Sequence, residues 1–164
     1  MSEEHIITDS YQRRVSYLRF SVTDRCNLHC VYCRSDGPEE FIPHEDVLRY
    51  EEIIRLVRIA RSMHVNKVRL TGGEPFARRD FDKLLLGLRE NFPDLNLRIT
   101  SNGTLMGPHI PVLKQARINA VNLSIDSFRP ETFARVTGHD LLGKVTETLD
   151  ALLDAGIRTK INAV

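Results

Sequence analysis

The stretch YLRFSVTDRCNLHCVYCRSD, residues 17 to 36, joins a strand pattern to a dense group of cysteines. Its first half alternates, with Leu18, Phe20 and Val22 apolar and Arg19, Ser21 and Thr23 polar. Successive side chains of a strand point to opposite faces, so the segment predicts a strand with one buried and one wet face. Its second half holds every cysteine of the chain, spaced Cys26-x3-Cys30-x2-Cys33. The loop that leaves the strand thus carries all the thiols.

The same period-two pattern recurs in NKVRL, LNLRIT, AVNLSI and RTKINAV. One face collects Val68 and Leu70; Leu97 and Ile99; Val121, Leu123 and Ile125; Ile161 and Ala163. The other collects Lys67, Arg69 and Thr71; Arg98, Thr100 and Asn102; Asn122, Ser124 and Asp126; Lys160 and Asn162. Helical spacing separates these runs: Ile53, Val57 and Ala60; Phe81, Leu84, Leu85 and Leu88 behind an expected Asp80 cap; a shorter segment from Ile110 to Ala116; and Leu142, Val145, Leu149 and Leu152, ending at Gly156. Strand alternating with helix predicts an α/β fold with a parallel sheet. A closed eight-stranded barrel fills its interior with bulky apolar groups, so a polar inner face predicts a wider or incomplete barrel around a cavity. An antiparallel sheet with one wet side is the alternative. Residues 34–46 and 101–111 are expected to be loosely built loops.

At 164 residues the chain is long enough to bury roughly two-thirds of its unfolded surface without disulfides. A net charge of +1 gives no reason to expect nucleic acid or an acidic membrane as partner. No apolar run is long enough to span a bilayer and no leader is visible, so a cytoplasmic location is expected. Of the 23 basic residues 18 are Arg, the side chain whose planar fork suits phosphate and carboxylate.

In a reducing compartment three clustered cysteines point to metal binding or catalysis rather than a disulfide. Cys30 and Cys33 would serve a zinc knuckle, but no later cysteine pair completes one. A four-iron cluster needs one ligand per iron, and three thiolates leave one iron open to a cofactor or substrate. Function gathers at the C-terminal ends of parallel strands. There the chain places the cysteine loop, then TGGEP (71–75), TSNG (100–103) and SIDS (124–127).

Cys-x3-Cys-x2-Cys with Tyr32 before the last cysteine, followed one strand later by Gly-Gly-Glu-Pro, resembles the radical S-adenosylmethionine (SAM) enzymes. The wider frame LRFSVTDRCNLHCVYC, VRLTGGEPFARRD, ITSNGTL, VNLSIDS and TKINAV resembles the GTP 3′,8-cyclase family of molybdenum cofactor biosynthesis. The family usually follows its third cysteine with Met-Pro, where Arg34 and Ser35 stand here.

The resemblance implies a six-unit βα barrel, here partial, spanning residues 17–164 after an N-terminal extension, 1–16. It implies a [4Fe–4S] cluster on Cys26, Cys30 and Cys33, with SAM chelating the open iron. Tyr32, Gly73 and Ser124 match SAM-contacting positions, and Gly72 and Glu74 belong to the motif that receives its amino group. Arg19, Arg69, Thr100 and Lys160 match positions that contact GTP, and Lys67 beside Arg69 is a further triphosphate candidate. The implied chemistry is one-electron cleavage of SAM to a 5′-deoxyadenosyl radical, removal of the ribose 3′ hydrogen of GTP and closure onto guanine C8. A small reductant or electron-donor protein is the implied partner, and relatives acting on peptides or a zinc-binding module are the alternatives. The family continues through a sixth barrel unit and a domain with a second cluster, so Val164 falls inside the expected fifth strand of a truncated barrel. An open edge at 157–164 would invite self-association into a homodimer.

Overall fold

The computed structural model describes residues 6–33 and 41–164, so Arg34 and Ser35 lie outside the described residues. Five strands form one sheet: β1 (Tyr17–Ser21), β2 (Lys67–Thr71), β3 (Asn96–Ser101), β4 (Ala120–Ser124) and β5 (Thr159–Asn162). Their order in space is their order in the chain, and every neighbouring pair is parallel. The antiparallel alternative is therefore wrong, and the sheet is an open one of βα units with edges at β1 and β5.

Five helices cover its apolar face: α1 (Tyr50–Ser62), α2 (Phe81–Asn91), α3 (Ile110–Gln115), α4 (Pro130–Thr137) and α5 (Leu142–Asp154). Val68, Leu70, Leu97, Ile99, Val121 and Leu123 are fully buried beneath Ile53, Val57, Leu84, Leu85, Leu88, Leu113 and Val145. A one-residue slip of β3 would put Arg98 and Thr100 under the helices and Leu97 and Ile99 in water. Burying two aliphatic side chains is worth about 3–6 kcal/mol, so the alternation fixes the register.

Several local expectations are corrected. Asp80 occupies the N-cap position of α2 but in a left-handed conformation, φ 58°, without a side-chain cap bond; its carboxylate meets Lys83 Nζ at 3.2 Å. Residues 101–111 are closely built: Ser101, Thr104 and Met106 are buried, and Gly107–His109 form a 3-10 turn leading into α3. Ile161 stays 41% exposed because β5 is an edge strand. Helix α4 was not expected, since Phe133 is its one buried apolar side chain. Its signals were Pro130 in the first turn and Gly138, φ 78°, just past its end.

One buried cation holds the lower turns. Arg89 on α2 donates to the carbonyls of Ala116 (2.7 Å), Pro93 (2.7 Å) and Arg117 (2.8 Å), joining α2 to the turns before β3 and β4. The described part of residues 6–16 forms a small hairpin closed by a Thr8–Arg14 bridge, with Asp9 accepting from the Arg13 amide and guanidinium.

Candidate active site

The strand registers lay the polar face out in rows. Tyr17, Lys67 and Asn96 lie opposite one another at the N-terminal end of the sheet. Arg19, Arg69 and Arg98 form the next row, on three adjacent strands. Ser21 and Thr71 follow, and at that level Thr100, Asn122 and Lys160 continue across β3, β4 and β5. Ser124 and Asn162 lie nearest the mouth.

Arg69 is 7% exposed and held by neutral partners: it donates to Tyr17 Oη at 2.6 Å and Thr100 Oγ1 at 3.1 Å. Lys67 Nζ sits 5.5 Å from the centre of the Tyr17 ring, and Arg98 donates to Asn96 Oδ1 at 2.8 Å. Among the described residues no carboxylate pairs with Arg19, Lys67, Arg69, Arg98 or Lys160. Like charges at strand spacing repel, so a cationic face of this kind favours a polyanion.

The cysteine loop crosses the mouth from β1 to the β4–α4 unit. The His29 amide donates to Thr137 O at 2.9 Å and the Val31 amide to Val136 O at 3.0 Å. Tyr32 Oη donates to Asp126 Oδ2 at 2.6 Å. A turn between Cys33 N and Cys30 O, 2.9 Å, brings the last two cysteines onto one tight loop. Cys26 Sγ accepts from the Leu28 amide at 3.5 Å and from Asn102 Nδ2 at 3.6 Å. Asn102 is itself oriented by Thr104 and Asn27.

Burial pushes the Cys30 thiol up; the Tyr32 hydroxyl opposes this, and negative charge on Cys26, Asp126 and Cys33 adds to it. Cys30 thus has both other thiols within electrostatic reach, and thiolates so placed repel unless a cationic group joins them. Among the described residues no three His, Cys, Asp or Glu side chains converge on a single-ion site. Three cysteines on one loop, with the Leu28 amide and Asn102 Nδ2 aimed at the Cys26 sulfur, suit a multi-iron cluster that takes one ligand per iron. The donor set therefore fits a cluster.

The Gly-Gly-Glu loop packs beside it. Gly73 N donates to Thr23 O at 2.7 Å and Glu74 N to Arg25 O at 2.8 Å. A Cβ on Gly73 would stand 2.2 Å from Arg25 O, and one on Gly72, φ 154°, 2.3 Å from Thr23 O. The close approach these glycines permit is to the chain's own backbone at residues 23–25, beside the cysteines. Glu74 is fully buried; Oε1 accepts from the Phe76 amide (3.2 Å) and Ser101 Oγ (2.9 Å), and Oε2 from the Asn102 amide (2.8 Å). Burial outweighs these three donors and raises its pKa to about 7.

The residues singled out in the sequence therefore fall into two groups. Cys26, Cys30, Cys33, Tyr32, Gly72, Gly73 and Glu74 meet at the mouth, with Ser124 at the end of β4. Arg19, Lys67, Arg69 and Thr100 line the wall below. Lys160 is exposed on β5, four strand spacings of about 4.8 Å from Arg19. Sequence reasoning missed the Tyr32–Asp126 bond and the Asn27–Asn102–Thr104 network; SIDS and TSNG carried the signal, but not the partners.

The family model of the radical SAM superfamily matches residues 20–164. The GTP 3′,8-cyclase of Nautilia profundicola is 42% identical over 97% of this chain, and that of a Sulfurovum strain 38% identical over the same share. The chain spans about half the length of these relatives, 50% and 49%. Among solved structures, Streptococcus suis SuiB bound to precursor peptide SuiA superposes with a TM-score of 0.76 over 90% of this chain and 32% of SuiB, at 21% identity. That likeness concerns the fold, and it agrees with a truncated barrel of parallel strands. With thiol spacing, βα order and family model in accord, the chain belongs to the radical SAM superfamily, whose cofactors are a [4Fe–4S] cluster and SAM.

Proposed function

We propose that the chain carries the cluster, SAM and triphosphate sites of a GTP 3′,8-cyclase. The observation that carries the reading is the row Arg19, Arg69 and Arg98 on the polar face of the sheet, with no carboxylate partner among the described residues. A peptide substrate offers no comparable anion, and the relatives of similar sequence are named GTP 3′,8-cyclases.

In this reading Cys26, Cys30 and Cys33 hold three irons, and Asn102 and the Leu28 amide stabilise the charge on the Cys26 sulfur. A cluster held there, with SAM on its open iron, would supply one-electron reductive cleavage of SAM. Tyr32, Gly72, Gly73 and Ser124 hold SAM at the mouth. Glu74 serves its amino group by fixing the loop backbone, since its carboxylate is engaged by Phe76, Ser101 and Asn102. Arg19, Lys67, Arg69, Thr100 and Lys160 hold GTP, with Arg69 already oriented by Tyr17 and Thr100. Guanidinium forks offset the loss of water around a triphosphate better than flexible amines do. The electron comes from a small reductant or donor protein, and the reaction runs in the cytoplasm. Among the described residues no helix is long and apolar enough to cross a membrane.

The test is anaerobic reconstitution with iron and sulfide, reduction in the presence of SAM, and assay of 5′-deoxyadenosine, with GTP binding measured in parallel. Expected are SAM cleavage and a preference for GTP over guanosine. A chain that loads a cluster but neither cleaves SAM nor prefers the triphosphate overturns the reading.

A further inference from the structure

Asp126 joins two parts of the mouth that the chain separates by four strands. Its Oδ2 accepts from Tyr32 Oη at 2.6 Å, and its Oδ1 accepts from the Val164 amide at 3.1 Å beyond β5. Cys33 is exposed and the Tyr32 ring half-exposed, so packing alone does little to fix residues 30–33. The backbone bonds of His29 and Val31 to α4 hold the start of this segment. Its far end is tied to the end of the distant β4 by the phenol–carboxylate bond.

We propose that Asp126 is a positioning residue for the SAM site: by accepting from the Tyr32 phenol it fixes the ring, and with it residues 30–33, in the SAM-receiving arrangement before the cofactor arrives. The inference rests on the reading of Tyr32 as a SAM contact. Asp126 then acts through Tyr32 and not through its charge. Asn at this position keeps one acceptor oxygen for the phenol, whereas Ala keeps none.

The first arm of the test uses the metal-free chain and amide hydrogen exchange. Asp126→Ala and Tyr32→Phe are each expected to speed exchange across residues 30–33 about tenfold, the size of one lost hydrogen bond. The double variant exchanges no faster than either single one, Asp126→Asn stays within about threefold of the parent, and β3 amides are unchanged. In the second arm, the SAM concentration that half-perturbs the electron paramagnetic resonance spectrum of the reduced, reconstituted cluster rises about tenfold for Asp126→Ala and Tyr32→Phe, and little for Asp126→Asn. Unchanged exchange in Asp126→Ala, additive effects in the double variant, or faster exchange in β3 as well would overturn the proposal. Equal damage from Asn and Ala would assign Asp126 a direct electrostatic role and overturn it too. If the parent spectrum ignores SAM, the SAM-site reading fails, while the exchange arm still decides the tether.

Discussion

Ser101 donates its hydroxyl to Glu74 Oε1 at 2.9 Å and so ties the end of β3 to the loop after β2. The same oxygen of Ser101 accepts from the Gly103 amide at 2.9 Å, and Glu74 Oε2 takes the neighbouring Asn102 amide. One buried carboxylate therefore sets two adjacent loops of the mouth.

The first prediction concerns pH. Glu74 is held near pKa 7 in the folded chain by burial, against an ordinary value of 4.5. Between these values the folded chain keeps a proton that the unfolded chain has shed. The contribution of the protonated group is thus fully present below about pH 4.5, declines as pH rises and is gone above about 7. At 1.36 kcal/mol per pKa unit the loss is on the order of 3 kcal/mol. Chemical denaturation of the metal-free chain from pH 4.5 to 8 should show this decline, and Glu74→Gln should flatten it. Parallel curves for the two proteins would count against it.

Gly73 is exposed to solvent, yet its Cβ direction is closed by Arg25 O and the Asp24 carbonyl. Gly73→Ala must push the Gly-Gly loop off the cysteine loop and break the bonds from Gly73 N and Glu74 N. We expect a loss of roughly 2–4 kcal/mol in stability, from two backbone hydrogen bonds and the steric clash together. Iron bound after reconstitution should fall in step. An alanine variant with parent melting temperature and full iron loading would show that the loops do not dock as described.

Arg89 supports the opposite end of the sheet. Arg89→Met leaves the carbonyls of Ala116, Pro93 and Arg117 without their donor in a buried site. Each unsatisfied buried acceptor costs about 1–3 kcal/mol, and some will recover water, so a net destabilisation of roughly 3 kcal/mol is expected. Denaturant unfolding measures it. Because Arg89 is remote from the mouth, SAM and GTP affinities of the folded fraction should not change.

What could be read in the sequence was whatever has a period. The alternation of Leu97, Arg98, Ile99 and Thr100 fixed both the strand and the side that faces the cavity, since each step reverses the side chain. The three thiols declared their chemistry because few functions need three cysteines in eight positions. Helix α4 escaped, as one buried phenylalanine gives no stripe to detect. The Tyr32–Asp126 bond escaped for a different reason: it spans 94 positions, and no local pattern encodes a partner at that separation. The pair Gly72–Gly73 is legible as a turn, but not what it packs on: the backbone of residues 23–25 lies where a Cβ on either glycine would stand.

The cation row gives the last prediction. Arg69 is buried among neutral partners, so its charge is available to a ligand while its geometry is already set by Tyr17 and Thr100. Arg98 stands beside it in register, bonded only to the neutral Asn96 among the described residues. Arg69→Lys keeps the charge but loses the fork that reaches Tyr17 and Thr100 together, and should weaken GTP binding about tenfold or more. Arg98→Gln removes a charge one strand away and should weaken it by a smaller factor, about threefold to tenfold. Neither should alter guanosine binding, and the ratio of GTP to guanosine affinity should fall as salt rises. Calorimetric titration of the parent and both variants with GTP and guanosine at two salt concentrations decides the matter. Equal losses for nucleotide and nucleoside would place the row away from the phosphates and break the link between the arginines and the substrate.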